Sequence, residues 1–191
     1  RQGFRRSGDL VYRPYCQDCV ACVPVRIAAD RFVPTRGQKR VWSRNRDIRV
    51  HATDQRFSEE HFSLYRRYQA ARHPGSTMDD ADPERYIKSL ASTQADTVFY
   101  EMRAPGQDQT QDGPGTLLGV AVVDILPDGL SAVYTFFDPD LRARGLGVYA
   151  ILWQLEEIRR LGLEFLYLGY WIAECPKMAY KTNFRPLEAF Q

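Results

Sequence analysis

The pattern of apolar and polar positions predicts a chain of short strands and helices. Between residues 147 and 161, apolar side chains recur every three or four positions and charged residues cover the other side, which predicts an amphipathic helix. Gly162 follows at once, and glycine commonly ends a helix in the left-handed conformation. Residues 117–126 and 130–137 are apolar runs separated by the turn sequence Pro127-Asp128-Gly129, so we expect them to be paired strands.

Capping residues locate the other helices. Ser58 is a suitable N-cap for a helix to about residue 71, because its side chain accepts a hydrogen bond from a free backbone N–H. Asp82 followed by Pro83 predicts a helix to residue 90. A short helix or helix start is expected within the basic segment 37–47. The remaining expected elements are strands at residues 10–12, 23–27, 98–102 and 165–170, and an exposed loop at residues 104–115.

Composition favours one domain, or two small lobes that share a core. The chain has 191 residues, of which 44% are hydrophobic, and this is enough for a sizeable core. No apolar run approaches the roughly 20 residues that cross a bilayer, and the start shows no signal-peptide pattern. We therefore expect a cytoplasmic protein without a membrane partner.

Charge is distributed unevenly along the chain. Residues 1–49 contain 12 Arg and Lys against 4 Asp and Glu, whereas the remainder contains 14 against 20. A basic half on a protein of net charge +2 favours a polyanionic partner on one face, the alternative being a solvated basic surface. We accordingly divide the chain into a basic, cysteine-containing segment at 1–50 and a main core at 51–191, which could also form one continuous domain.

A glycine-bearing loop precedes the amphipathic helix. Residues 138–147 end in Arg144-Gly145-x-Gly147, where small residues let backbone N–H groups approach an anion and the helix dipole favours negative charge. Glycines before a helix are also ordinary turn chemistry. The Arg-Gly-x-Gly sequence resembles the acyl-carrier loop of the acetyltransferase superfamily.

A wider set of motifs runs in order along nearly the whole chain. It comprises residues 3–8, 65–69, 131–139, 146–149, 167–172, 175–181 and 184–186. This set resembles the arginyltransferase/leucyltransferase family of aminoacyl-tRNA–protein transferases. The resemblance implies an α/β, acetyltransferase-like (GNAT-like) fold with a mixed, mostly antiparallel sheet flanked by helices, and a catalytic core at 51–191. It also implies that the sheet is splayed beside the loop before Gly147, that aminoacyl-tRNA is the donor, and that the protein acts in N-degron degradation.

The cysteine-containing segment indicates a branch of that family. Cys16-x-x-Cys19-x-x-Cys22, followed by residues 23–26, resembles the compact bacterial branch, whose members transfer leucine to N-terminal Asp or Glu. We therefore expect Leu-tRNA as donor and proteins beginning with Asp or Glu as acceptors. The alternatives are arginyl transfer from Arg-tRNA, as in the eukaryotic branch, a CoA-dependent N-acetyltransferase, and a non-catalytic RNA- or degron-binding module.

The cysteines raise the question of a metal site. Cys16, Cys19 and Cys22 lie too close together for an ordinary disulfide framework, and Cys175 is remote in sequence. The three thiols could supply part of a zinc or iron–sulfur site. A fourth ligand would then come from a cysteine segment that the family usually has further towards the N-terminus. The alternative is a thiol-rich structural turn without a cofactor.

The chemistry implied by the resemblance needs no covalent enzyme intermediate, because the donor is an activated ester and the nucleophile is an α-amine. The enzyme must hold both groups in attack geometry, accept a proton and stabilise an oxyanion. We assign Tyr134, Asp138 and Tyr170 as the catalytic candidates. The histidines at 51 and 61 are expected to be structural, and His73 is the best candidate among the three for a further role.

Cations are needed for both substrates. An acidic acceptor side chain requires Arg or Lys, and we assign Lys177, Lys181 and Arg185 to it, with contact to tRNA phosphates as the alternative. The residues expected to bind tRNA are Arg5, Arg6, Lys39, Arg40, Arg44, Arg46, Arg144, Gly145 and Gly147.

Overall fold

The fold is mixed α/β, with helices on both faces of a mostly antiparallel sheet. The computed structural model describes residues 3–55, 57–73, 82–105 and 115–189. Most of the loop predicted at residues 104–115 therefore lies outside the described residues. No helix in the described ranges is both long enough and apolar enough to cross a bilayer.

Two sheets are formed by the described residues. The strands are β1 (Arg5–Ser7), β2 (Leu10–Tyr12), β3 (Val23–Ala28), β4 (Arg49–Thr53), β5 (Thr97–Ala104), β6 (Thr116–Leu126), β7 (Gly129–Phe137), β8 (Phe165–Trp171) and β9 (Leu187–Ala189). β1 and β2 form a separate hairpin, and the other seven lie in the order β4-β5-β6-β7-β8-β3-β9. Neighbouring strands run antiparallel except β7 and β8, which run parallel. The predicted mixed, mostly antiparallel sheet is confirmed.

Four α-helices confirm the sequence expectations. They are α1 (Arg36–Arg44), α2 (Glu59–Arg72), α3 (Pro83–Leu90) and α4 (Leu146–Leu161). Ser58 caps α2 by accepting from the His61 N–H, and Asp82 caps α3. α1 begins with a reciprocal capping box between Thr35 and Gln38. Two 3₁₀ helices, Arg142–Arg144 and Pro176–Asn183, were not anticipated from the sequence.

The core is divided between the two faces of the sheet. Ala121 and Val123 of β6 pack in the cluster that contains Leu155 of α4, whereas Val120 and Val122 pack with the aromatic side chains of α2 and α3. Successive side chains of a strand point to opposite faces. A strand covered by helices on both faces is therefore apolar at nearly every position, which explains the uninterrupted apolar run in β6.

β7 and β8 separate after a short parallel contact. Their pairing is limited to Gly129–Phe165, Leu130–Leu166 and Ser131–Tyr167. Beyond it, β7 continues along β6 while β8 continues along β3. The sheet is therefore splayed on the side where β7 leads into the loop before Gly147, as predicted. β3 contributes to this same sheet, so segments 1–50 and 51–191 share one core.

Candidate active site

Arg5 fills the gap between the diverging strands. Its Nη1 donates to Ser131 Oγ at 3.1 Å and its Nη2 donates to the Ala132 carbonyl at 2.8 Å. Gly169 of β8 lies against the guanidinium at φ +76°, and a Cβ there would stand 2.8 Å from Arg5 Nε. Glycine is therefore required at 169 both for backbone conformation and for space. Burial lowers the pKa of Arg5, although a guanidinium remains protonated in proteins.

Lys181 is a buried lysine that binds the main chain at the end of β8. It is 6% exposed, and its Nζ donates to the carbonyl of Tyr170. Burial, together with the neighbouring Arg5 cation, lowers the pKa of Lys181 to about 8. The Tyr170 hydroxyl in turn donates to the Gly3 carbonyl. Lys181 is therefore a buried cation committed to the main chain, unlike the open acceptor-binding cation that we expected.

An aromatic wall from α2 lines the same region. The Tyr68 ring centroid lies 5.0 Å from that of Phe137 and 6.4 Å from that of Tyr134. The Tyr134 hydroxyl donates to Gln69 Oε1 at 3.4 Å, and Gln69 Nε2 donates to the Tyr65 hydroxyl at 2.7 Å. Burial raises the pKa of Tyr134. Its phenol stays protonated at neutral pH, and it can act there as a hydrogen-bond donor.

Gln69 is a residue of this wall that belongs to the motif at residues 65–69 and was assigned no role from the sequence. It is 1% exposed and links two tyrosines. Its spacing of four residues from Tyr65 places both side chains on one face of α2. That spacing was the available signal in the sequence.

His73 and Lys177 come together beside this wall. His73 ends α2, Lys177 lies in the 3₁₀ helix Pro176–Asn183, and Lys177 Nζ is 3.2 Å from His73 Nδ1. Burial lowers the pKa of His73, and the cations of Lys177 and Arg72 lower it further. The imidazole is therefore neutral near pH 7. Because the ammonium donates to Nδ1, the imidazole proton is on Nε2.

Asp138 holds the turn that follows β7. Its Oδ1 accepts from the Asp140 N–H at 2.9 Å and from Arg67 Nη2 at 2.9 Å. Arg67 also donates to Asp140 Oδ2 at 2.7 Å. In this structure the carboxylate shapes the loop. Arg67, which belongs to the motif at residues 65–69 and was assigned no role from the sequence, contributes to it.

The loop then enters α4 in a tightly packed turn. Gly145 has φ +66°, and a Cβ there would lie 3.4 Å from Val41 of α1. A Cβ on Gly147 would lie 3.1 Å from the ring of Phe137. The backbone at the start of α4 is therefore held close to both neighbours, and its free N–H groups provide a site suited to an anion.

Arg144 braces this loop against α1. Its Nε donates to Asn45 Oδ1 at 2.8 Å, and Asn45 Nδ2 donates to the Arg144 carbonyl at 2.8 Å. Its Nη2 pairs with Asp47. We expected Arg144 to contact tRNA, whereas these bonds give it a structural role.

Arg6 is also engaged inside the protein. Its Nε and Nη2 each lie 2.6 Å from a carboxylate oxygen of Asp124, and its Nη1 donates to the Leu90 carbonyl at 3.0 Å. The expectation that Arg5 and Arg6 face tRNA conflicts with these contacts. The N-terminal hairpin inserts both side chains between the strands and α3 instead of laying them on the surface.

The open cations lie on and after α1. Lys39, Arg40 and Arg46 are exposed, and no carboxylate partner is found for them within the described ranges. Arg44 is exposed and donates to the Ala143 carbonyl. The basic face of α1, defined as Lys39, Arg40, Arg44 and Arg46, therefore borders the loop before α4. Arg185 is also exposed, and its Nε donates to the Thr182 carbonyl at 3.2 Å.

The three clustered cysteines do not converge. Cys16 and Cys19 are exposed and Cys22 is partly buried, while the Cys19 N–H donates to the Cys16 carbonyl across a turn with Asp18 at φ 57°. Among the described residues, no group of three His, Cys, Asp or Glu side chains is placed to share a metal ion. The side chains in the described structure therefore do not fit a zinc or iron–sulfur site.

Comparison with known families identifies the chain. A family model described as "Arginine-tRNA-protein transferase, C terminus" matches residues 60–191, and its N-terminal counterpart matches residues 1–40. The chain belongs to the arginine-tRNA-protein transferase family. The transferase is 52% identical over 186 residues to an aspartate/glutamate leucyltransferase of Pseudomonas fluorescens, covering 97% of this chain and 75% of that one. It is 53% identical over 188 residues to one of Stenotrophomonas maltophilia, covering 98% and 74%.

A solved structure shares the fold of the transferase. It is the C-terminal domain (DUF2156) of a putative lysylphosphatidylglycerol synthetase from Agrobacterium fabrum, with a TM-score of 0.54 and 12% identity. The match covers 80% of this chain and 47% of that one. At this level of identity the similarity shows the fold alone.

Proposed function

We propose that the transferase moves leucine from Leu-tRNA to the α-amine of proteins that begin with Asp or Glu. The name shared by the relatives at 52% and 53% identity supports this donor and these acceptors. The observation that carries the proposal is the gap between β7 and β8, where β7 leads to the start of α4 and β8 leads to the 3₁₀ helix that carries Lys177. We also infer from this gap and the loop before Gly147 that the fold is acetyltransferase-like.

The basic face of α1 is where we propose that the tRNA backbone lies. It contains no acidic residue, and Asn45 ties it to the loop that begins α4. Phosphates on this face would leave the 3′ end of the tRNA close to the gap. The free N–H groups of the first turn of α4 then face an anionic group of the donor.

The reaction forms a C–N bond between the acceptor amine and the leucyl carbonyl and breaks the ester C–O bond. The amine gives up a proton, and the 3′ oxygen of the tRNA leaves as a hydroxyl. The Nε2–H of His73 is a hydrogen-bond donor suited to the oxyanion that develops. The protonated phenol of Tyr134 becomes a second donor when its hydroxyl turns away from Gln69 Oε1, to which its hydrogen bond is 3.4 Å long. Tyr170 and Asp138 support them by holding the N-terminal segment and the loop before α4.

Lys177 is the cation that we propose for the acidic acceptor side chain. It is exposed, and its side-chain contact among the described residues is with neutral His73, so its charge is not cancelled. Arg185 is a second exposed cation on the same segment. Lys181 contributes indirectly, because its hydrogen bond to Tyr170 fixes the 3₁₀ helix that carries Lys177.

Transfer assays with labelled Leu-tRNA and Arg-tRNA test the proposal. Peptides that begin with Asp, Glu or Ala serve as acceptors, and acetyl-CoA serves as the competing donor. We expect label from Leu-tRNA on the Asp and Glu peptides and none on the Ala peptide. Label from Arg-tRNA alone would establish arginyl transfer, and label from acetyl-CoA alone would establish an acetyltransferase.

A further inference from the structure

A second concave site lies outside the gap. It is a cleft of about 510 Å³ between α4, the end of α1 and the segment that leads from α1 into β4. The side chains that matter for its chemistry are Trp42, Arg46, Tyr149, Trp153, Glu157 and Arg160. None of them belongs to the set assigned above to the gap between β7 and β8.

Aromatic side chains line one side of the cleft, and one of their rings is exposed. Trp42 is 36% exposed although it is a large apolar side chain, and its ring centroid lies 5.5 Å from that of Tyr149 at an angle of 34°. Trp153 is partly buried and covered by Tyr100 at 4.7 Å. Trp42 therefore rests on Tyr149 and presents the rest of its surface to the cleft. An exposed indole on such a support is suited to stacking with a flat ring.

Charged side chains of opposite sign lie at the two ends of the cleft. On the side of α1, Arg46 belongs to the basic face of α1 and has no carboxylate partner in the described structure. On the side of α4, Glu157 accepts two hydrogen bonds of 2.7 Å from Arg160. A cation at one end suits a phosphate, and a carboxylate at the other end accepts from the amino group of an adenine or cytosine.

The cleft is continuous with the proposed path of the RNA. Asn45, which is one of its lining residues, donates to the carbonyl of Arg144 in the loop before α4. Tyr149 is in the first turn of the same helix. The cleft therefore adjoins both the basic face of α1 and the start of α4.

We propose that this cleft binds one unpaired nucleotide of the donor RNA, with its base stacked on Trp42 and its phosphate held by Arg46. The inference rests on the proposed function, since it takes RNA as the donor. Unpaired bases on aromatic side chains are a common mode of RNA recognition. We expect the nucleotide to be unpaired, because a base inside a helix has both ring faces covered by the neighbouring bases and cannot stack on Trp42.

The test measures RNA binding by wild type and by Trp42→Ala, Trp42→Phe and Leu161→Ala. Leu161 is 40% exposed on α4 and is absent from the cleft lining, so it is a matched control. The probes are an RNA hairpin that carries no amino acid and has an unpaired 3′ extension, and the same hairpin without the extension. Loss of one stacked base is worth roughly 1–3 kcal/mol, which corresponds to a loss of affinity of about 5- to 150-fold.

We expect Trp42→Ala to lose affinity in that range for the extended hairpin and to match wild type on the blunt one. Trp42→Phe retains a ring and should recover most of the loss, which excludes misfolding as the cause. Equal affinities of Trp42→Ala and wild type for the extended hairpin would overturn the inference. A raised KM for the acceptor peptide with unchanged RNA binding would also overturn it and assign the cleft to the acceptor.

The proposed function is tested separately by leucyl transfer with wild type. If wild type does not transfer leucine, the donor assignment fails while the hairpin comparison still reports on the cleft. If wild type transfers leucine and Trp42→Ala binds both hairpins normally, only the cleft assignment fails.

Discussion

Arg6 holds Asp124 through two hydrogen bonds of 2.6 Å, and both side chains are more than 90% buried. Asp124 also accepts from Thr97 at 2.8 Å, and Arg6 donates to the carbonyl of Leu90. One ion pair thus joins the N-terminal hairpin to β5, β6 and the end of α3. Breaking a buried pair by removing one partner leaves an uncompensated charge in the interior.

We expect Arg6→Ala to lower the free energy of unfolding by about 3–5 kcal/mol. Chemical denaturation measures the change. Lys88→Ala is the control, because Lys88 is an exposed i,i+4 partner of Glu84, and such pairs contribute about 0.3–0.5 kcal/mol. A loss below 1 kcal/mol for Arg6→Ala would show that the pair does not anchor the hairpin.

Gly169→Ala tests the close contact between β8 and Arg5. The new Cβ would stand 2.8 Å from Arg5 Nε on a residue with φ +76°, so we expect a loss of roughly 1–3 kcal/mol of stability. Gly37→Ala is the matched change in α1, where a Cβ meets no atom closer than 3.9 Å. It should raise stability by up to about 1 kcal/mol, since alanine is the better helix residue. Equal thermal midpoints for the two variants would contradict the packing described for Arg5.

Lys177→Ala should reduce kcat/KM for peptides beginning with Asp or Glu by about 10- to 100-fold, because a charge-assisted hydrogen bond is worth roughly 1.5–3 kcal/mol. Affinity for tRNA should be unchanged. The same variant should raise the pKa of His73, since the Lys177 cation lowers it in the wild type. Steady-state kinetics and NMR titration provide the two measurements. Reduced tRNA affinity with intact acceptor preference would instead place Lys177 on the RNA backbone.

Arg40→Ala should weaken tRNA binding and reduce the slope of log affinity against log salt by about 0.7–0.9, the value for one lost phosphate contact. Arg40 is exposed on α1. No side chain in the described residues pairs with it, so its replacement leaves no group without a partner there. Lys88→Ala, on α3, removes one positive charge elsewhere and should leave the slope unchanged. Identical slopes for Arg40→Ala and wild type would remove α1 from the RNA surface.

Burial holds the pKa of Lys181 at about 8 in the folded protein, below the roughly 10.4 of an unfolded lysine. Between pH 8 and pH 10 the unfolded chain therefore binds more protons, and stability should rise with pH. Below pH 8 the full cost of the buried charge is present. Above about pH 10 the raised pKa values of buried tyrosines such as Tyr86 reverse the trend, because unfolded tyrosine then loses its proton first.

Lys181→Met removes this titration while it keeps an apolar stem of similar length. Its free energy of unfolding relative to wild type should change between pH 8 and pH 10 by up to roughly 1.4 kcal/mol per pH unit. Denaturation at a series of pH values measures the difference. A difference that stays constant across this range would mean that Lys181 is not desolvated in the folded state.

Local signals were sufficient for most of the secondary structure. The helices α2, α3 and α4 were predicted from capping residues and apolar spacing, and β6 and β7 from two apolar runs around a turn. The short strands β1, β4 and β9 were missed. β4 and β9 lie at the two edges of the sheet, and exposed edge strands need not carry an apolar pattern.

Local periodicity in the sequence determined most of the helices and strands, and the ordered motifs determined the family. The resemblance to that family in turn implied the mixed sheet and the kind of residues in the candidate site. The sequence by itself did not determine which cations are open to a substrate. Arg5 and Arg6 look like surface charges in sequence, yet their partners Ser131 and Asp124 lie 126 and 118 positions away. Only the tertiary structure decided which cations are buried. A charged side chain is buried only where folding brings a partner to it from a distant part of the chain, and no local sequence pattern specifies that partner.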